Sequence, residues 1–120
     1  MNHVLEHVVN LRRFLGHAGR ILAPGGLVFV QVPYHLGLIP RLMADHWLAW
    51  LPSQHVWHFT PASLSYVFRE ATGLAVLQTK TRGAIEPKKW PGLKGAAKGT
   101  LQWFSQRVGW GDEIEAVFGR

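Results

Sequence analysis

Hydrophobic positions follow a helical period and then a strand-like run at the start of the chain. The segment Asn10–Leu22 is predicted to be a helix with Asn10 as its N-cap, and its inner face carries Leu11, Phe14, Leu15, Ala18 and Leu22. Pro24 and the glycines after it end this helix, because proline cannot continue it and glycine accepts positive φ. Leu27–Val32 is almost entirely apolar, which predicts a strand covered on both faces.

The same order of helix and strand returns later in the chain. Thr60 and Pro61 predict a helix start, because threonine caps a helix and proline fits its first position. Leu74–Thr81 is predicted to be a strand, and alternating apolar residues predict a last strand at Glu113–Phe118. Between these two strands the composition predicts a loop over 83–98 and a short helix over 101–108.

The segment Tyr34–Pro52 has no single apolar face. A short helix is predicted near Arg41–Trp50, after Pro40, and apolar residues surround it on all sides. Such a helix is either buried on several sides or turned towards an apolar ligand or lipid. Peripheral membrane contact through 34–52 therefore stays open as an alternative.

Composition narrows the class of protein. The chain has 120 residues, 48% of them hydrophobic and 17% charged, which is typical of one globular domain. The absence of cysteine excludes disulfides and thiolate metal sites, and no apolar run is long enough for a membrane span. We expect a cytoplasmic protein. The net charge of +6 comes without an aromatic and basic RNA-binding motif, so nucleic acid is not an expected partner.

Several short blocks resemble class I S-adenosylmethionine-dependent methyltransferases in their order and spacing. They are His3-Val4-Leu5-Glu6-His7-Val8, Leu22-Ala23-Pro24-Gly25-Gly26, Val30-Gln31-Val32-Pro33 and His55-Val56-Trp57-His58-Phe59-Thr60. The resemblance extends to about Thr81. It implies an α/β fold, the carboxyl half of a Rossmann-like methyltransferase domain. That half has three strands with flanking helices, and its last strand is antiparallel and lies in the middle.

The resemblance also defines what to expect of function. Family members bind S-adenosyl-L-methionine mainly through a glycine-rich turn and an acidic residue in their first half, and neither feature occurs in this sequence. We therefore expect 1–120 to be a partial methyltransferase domain without the amino-terminal cofactor-binding half. The intact family member would methylate an O, N or C nucleophile of a small molecule, and this chain alone would be inactive.

Two expectations about partners follow from the resemblance. The strand Leu27–Val32 would lack its usual neighbour, and its apolar faces would lack part of their helical cover. Self-association or association with the missing half is therefore expected. A non-catalytic module that binds a membrane or a partner is the alternative function.

The resemblance places one group of residues on the cofactor side of the domain, namely His3, Leu5, Glu6 and His7. His3, Glu6 and His7 also share one helical face, and imidazoles with a carboxylate can hold a divalent metal. The alternative is that Glu6 and His7 form local hydrogen bonds. We assign no metal ligand from the sequence.

A second group is expected near the substrate. His55 and His58 are predicted to be catalytic, because two histidines three positions apart can be ligands or can act as a general base for a substrate hydroxyl. The alternative is that one of them packs and caps the turn before Thr60. Tyr34, Trp47 and Trp57 are predicted to bind the substrate through an aromatic pocket. The alternative is that these aromatic residues belong to the core.

Overall fold

The computed structural model describes residues 1–47, 49–83, 99–100, 103–104 and 107–120. Most of the predicted loop 83–98 and parts of the predicted helix 101–108 lie outside these ranges. The named elements of the described part are three α-helices and three strands, which we label α1 (Leu11–Ile21), β1 (Val28–Pro33), α2 (Leu38–Met43), α3 (Pro61–Thr72), β2 (Ala75–Arg82) and β3 (Glu113–Gly119). Short 3₁₀ helices lie at Leu5–His7 and Ala44–His46.

The three strands form one sheet in the order β1-β3-β2. The last strand, β3, is antiparallel to both neighbours, pairing Val30 with Ala116 on one side and Thr79 with Ala116 on the other. The prediction that the last strand lies antiparallel in the middle is confirmed.

The core lies between one face of the sheet and the helices α1 and α3. The buried cluster takes Val28, Val30, Val32, Ile114, Ala116 and Phe118 from the sheet and Leu11, Leu15, Leu64 and Phe68 from the helices. The rings of Phe68 and Phe118 are stacked with their centroids 3.8 Å apart. Phe14, predicted on the inner face of α1, is partly exposed, because that face is narrower than the sequence pattern suggests.

The opposite face of the sheet carries both polar side chains and exposed apolar side chains. Glu113 accepts a hydrogen bond from Gln31, and Glu115 is 3.0 Å from both Lys80 and Arg82. Phe29, which points to this face, is 47% exposed. The expectation that β1 is covered on both faces is therefore wrong for the described residues, because α1 and α3 pack on the same side.

The outer edge of β1 is partly covered by residues Met1–His3. Asn2 forms a parallel bridge with Gln31, and the Gln31 amide donates to the Met1 carbonyl at 2.9 Å. The His3 amide donates to the Gln31 carbonyl at 2.9 Å, and the Met1 amino group donates to the Phe29 carbonyl. The edge expected to be fully free is therefore free only in part.

The helix after β1 lies earlier than the predicted Arg41–Trp50. It spans Leu38–Met43 and continues as the 3₁₀ helix Ala44–His46, while Leu48 lies outside the described residues. Pro40 lies in the first turn of α2, where amide groups have no partner within the helix, so the missing amide hydrogen of proline costs no helical hydrogen bond. Ala44 has φ +46° and ψ −123°, far from helical values, and the α-helix ends there.

Among the described residues, we find no helix with the length and apolar character needed to cross a membrane.

Candidate functional site

Three segments meet beyond the carboxyl ends of β1 and Met1–His3. They are the 3₁₀ helix Leu5–His7, the residues Tyr34 and His35 after β1, and the segment 54–58 before α3. The Val56 and Trp57 amides both donate to the Glu6 carbonyl, at 2.8 and 3.3 Å, which ties the first segment to the third. Ligands of open α/β sheets bind at this end of parallel strands.

Four histidines follow one another across this end of the sheet, and we call them the histidine row: His7, His55, His58 and His35. Neighbouring ring centroids are 4.7, 6.3 and 5.7 Å apart in that order. Trp50 stacks on His58 with a centroid distance of 4.7 Å. The sequence assigned roles to three of the four and none to His35, although its position two residues after the end of β1 was a usable signal.

The environment of two members of the row lowers their pKa and so favours the neutral imidazole. Burial lowers the pKa of His58, and the imidazoles of His35 and His55 lower it further. Burial is also the main cause that lowers the pKa of His35; a hydrogen bond to the Phe59 backbone opposes it, and the Arg41 charge adds to it. A neutral imidazole can accept a proton, so both rings can serve as bases near neutral pH.

The other two members are oriented by backbone carbonyls. The buried His55 is 2.8 Å from the Ala49 carbonyl through Nδ1, and the exposed His7 is 3.0 Å from the Gln54 carbonyl through Nδ1. A carbonyl oxygen only accepts, so Nδ1 carries the hydrogen in both rings. The Nε2 atom of each ring therefore keeps its lone pair when the ring is neutral.

Glu6 lies beside this pair and is only 1% exposed. Its Oε1 is 3.2 Å from His3 Nδ1, and His3 Nε2 is 2.9 Å from Glu113 Oε1. Glu6 Oε2 is buried and has no hydrogen-bond partner among the described residues. Leu5, by contrast, is fully buried in the core, so its side chain faces the sheet and not the row.

The aromatic residues predicted at the substrate separate into different places. Tyr34 lies next to the row, with its ring 6.4 Å from His35, and also packs against the core. Trp47 is buried. Trp57 donates its indole hydrogen to the Val8 carbonyl and lines a cavity of about 520 Å³ between the start of α1 and α3, together with Val9 and Tyr66.

Comparisons with known proteins agree with this architecture. The profile of a family described as "Methyltransferase domain" matches residues 1–79. No curated protein matches the chain significantly.

Two solved structures share the fold. One is a SAM-dependent methyltransferase from Thermotoga maritima, described as a possible histamine N-methyltransferase; it is 16% identical, with a TM-score of 0.63, and the match covers 98% of this chain and 52% of that one. The other is a chain from the complex of the Haloferax volcanii Trm112 methyltransferase activator with a methyltransferase; it is 18% identical, with a TM-score of 0.64, and the match covers 98% and 50%. The present chain thus spans about half the length of these structures.

The family profile covers more than half of the chain, and its matched region contains β1, α1, α3 and all four histidines of the row. The chain belongs to the methyltransferase domain family and has part of the class I S-adenosylmethionine-dependent methyltransferase fold.

Proposed function

We propose that this chain is the substrate-side part of a methyltransferase domain that methylates an O, N or C nucleophile of a small molecule. The observation that carries the proposal is the position of the histidine row at the ligand-binding end of a methyltransferase-type sheet, where burial lowers the pKa of His35 and His58. The similar structures are about twice as long, so we propose that the cofactor-binding half is a separate part of the functional protein.

The residues of this chain fit the cofactor side only in part. The Glu6 carboxylate, with its unpartnered Oε2, and the backbone of Leu5–His7 offer polar groups to a bound molecule, and His3 holds the carboxylate in place. The family's glycine-rich turn has no counterpart in the sequence. When bound, S-adenosyl-L-methionine supplies the methyl group.

On the substrate side, His58 is the better placed of the two predicted bases. Its pKa is lowered by burial, it is half-buried, and Trp50 fixes its plane by stacking. It would take the proton from the attacking hydroxyl or amine. Tyr34, which lies beside His35, would shape the apolar side of the site, and Trp57 lines the cavity between the start of α1 and α3. Alignment of nucleophile, methyl carbon and sulfur supplies most of the remaining rate enhancement.

The cofactor assignment is tested by NMR titration of the ¹⁵N-labelled chain with S-adenosyl-L-methionine. We expect weak binding, with a dissociation constant in the millimolar range, and shift changes centred on His3–His7. A micromolar constant would show that the missing half is not needed, and changes confined to other parts of the chain would refute the assignment.

The acceptor assignment is tested in the same sample with histamine, a catechol and a phenol. At least one of these three acceptors is expected to shift the NMR signals of Tyr34, Trp50 and His58. His58→Asn should abolish these shifts without altering those caused by the cofactor. His46→Asn, a change in an exposed histidine outside the row, is the matched control. Equal effects of the two variants would contradict a role for His58.

A non-catalytic role in membrane or partner binding is the second candidate, and exposed apolar residues in 34–52 favour it. Leu42 is 65% exposed, and Trp50 and Leu51 are 41% and 38% exposed. Sedimentation with vesicles of anionic and neutral lipid tests the membrane arm. Binding that Leu42→Glu abolishes and Val9→Glu leaves intact would support it, while no sedimentation with either lipid would exclude it.

A further inference from the structure

We propose that Glu6, His7 and His55 form a binding site for a divalent transition metal. One ligand atom of each residue, two ring nitrogens and a carboxylate oxygen, lies within 4.8 Å of the other two. The site goes beyond methyl transfer, since it would bind the ion whether or not the chain handles a methyl donor. The sequence offered His55 as a possible ligand separately from Glu6 and His7, and the fold brings the three residues together.

Both histidines are prepared as ligands by the backbone. The Ala49 and Gln54 carbonyls accept hydrogen bonds from Nδ1 of His55 and His7, which leaves Nε2 free of hydrogen on each ring. Metal-bound histidines almost always donate their other ring hydrogen to a carbonyl or carboxylate in this way, because the bond fixes the tautomer and the ring orientation.

The strongest single observation in favour of the metal site is the buried carboxylate oxygen of Glu6. Glu6 is 1% exposed, and its Oε2 has no hydrogen-bond partner in the described part of the chain. A buried carboxylate oxygen without a partner is costly, because it has lost its water and gained nothing in return. A cation between Glu6 and the two imidazoles would satisfy it.

Supporting residues hold this carboxylate at its other oxygen. His3 bridges Glu6 Oε1 and Glu113 Oε1, at 3.2 and 2.9 Å. This arrangement removes His3 from the ligand set that the sequence suggested and makes it a positioning residue. The Val56 amide, bonded to the Glu6 carbonyl at 2.8 Å, keeps the segment of His55 next to Glu6.

The spacing can accommodate an ion after a small movement. Bonds of about 2.0–2.1 Å to a tetrahedral ion place ligand atoms about 3.4 Å apart. The three atoms, at 4.8 Å or less, must therefore close by at most about 1.4 Å. His7 is exposed, so it can move and also leaves a route from solvent.

The donor set selects the class of ion. Two imidazoles and one carboxylate suit Zn²⁺, Co²⁺ or Fe²⁺, whereas Mg²⁺ prefers oxygen ligands and water. Three protein ligands leave a further coordination position for water or for a substrate heteroatom.

The test is calorimetric titration of chelator-treated chain 1–120 with Zn²⁺, repeated with Co²⁺ to follow its visible absorption. We expect one equivalent to bind, with no competition from millimolar Mg²⁺. Glu6→Gln and His55→Gln should each weaken binding at least tenfold. His17→Gln, which removes an exposed histidine on α1, should leave it unchanged. Absence of stoichiometric binding, or equal losses in all three variants, would overturn the proposal.

A further variant distinguishes the loss of a metal ligand from unfolding of the chain. His7→Gln changes an exposed side chain outside the hydrophobic core, so the fold should survive, as checked by circular dichroism. It should still weaken Zn²⁺ binding at least tenfold and change the Co²⁺ spectrum. A folded His7→Gln chain that binds Zn²⁺ as tightly as the parent chain would refute the site. The experiment contains no methyl donor, so its failure would leave the proposed methyl transfer untouched.

Discussion

Glu115 shows how one side chain makes the sheet face opposite α1 and α3 sensitive to pH. It lies in the central strand, is 6% exposed, and is 3.0 Å from the charged groups of Lys80 and Arg82. Burial alone would raise the pKa of this carboxyl, but the hydrogen bonds and charges of Lys80 and Arg82 outweigh it, and the net pKa is lowered.

A lowered carboxyl pKa has a defined consequence for stability. The contribution of Glu115 is fully present above the ordinary glutamate pKa and is lost as the pH falls through the lowered value. Glu115→Gln should cost about 1 kcal/mol of unfolding free energy at neutral pH, because both cationic partners are exposed and partly screened. Urea unfolding at neutral and acidic pH measures this.

The control for Glu115 is Glu70→Gln. Glu70 is an exposed carboxylate 3.5 Å from Arg69 on the surface of α3. Its replacement should change stability by less than about 0.5 kcal/mol. The ion-pair interpretation is wrong if Glu115→Gln lowers the unfolding free energy no more than the control does. It is also wrong if the loss caused by Glu115→Gln is the same at acidic and neutral pH.

At the scale of elements, the turn after β1 packs directly on the residues before β3. The Leu38 amide donates to the Trp110 carbonyl and the Tyr34 amide donates to the Asp112 carbonyl, both at 2.8 Å. A Cβ on Gly37 would overlap the Gly111 carbonyl oxygen. Gly37 is thus required for space, since its φ of −63° is open to any residue.

A pair of identical substitutions tests this contact. Gly37→Ala should destabilise the chain by about 1–3 kcal/mol, because the backbones of two elements must separate. Gly16→Ala, within α1, meets its nearest atom at 3.8 Å and should stabilise the helix by about 0.5–1 kcal/mol. Thermal unfolding of both variants measures the direction of each change in stability. If Gly37→Ala leaves the stability unchanged, the turn can move aside.

The whole molecule has one sheet face that α1 and α3 do not cover. Leu27, Phe29 and Leu77 are 61%, 47% and 56% exposed, and the edge of β1 is only partly paired with Met1–His3. Exposed apolar residues beside an open strand edge favour association with another chain. We expect self-association of the isolated chain through this face.

Sedimentation velocity over a range of micromolar concentrations measures this association. Phe29→Lys should shift the chain towards monomer, because it places a charge in the contact. Val9→Lys is the matched control, since Val9 is 81% exposed but lies at the turn before α1. A compact monomer at all concentrations would contradict the expectation.

Local sequence patterns determined the elements of this protein. The helical period and Asn10 gave α1, and the Asn10 side chain accepts from the Arg13 amide as a cap should. Thr60 and Pro61 gave α3, where Thr60 and Ser63 form a reciprocal cap. These features need only residues three or four positions apart. The order of strands was predicted correctly from the family resemblance, not from periodicity.

The sequence named most residues of the site, but only the tertiary structure decided which of them meet. The histidine row comes from three separate segments. The ring centroids of His7 and His55 are 4.7 Å apart, although the two residues lie far apart in the sequence, so their spacing does not predict the contact. The same holds for His3, whose partner Glu113 lies at the far end of the sequence. The pairing of Met1–His3 with the edge of β1 was also missed. Contacts between distant residues are set by how the helices and the sheet pack, which a local pattern does not contain.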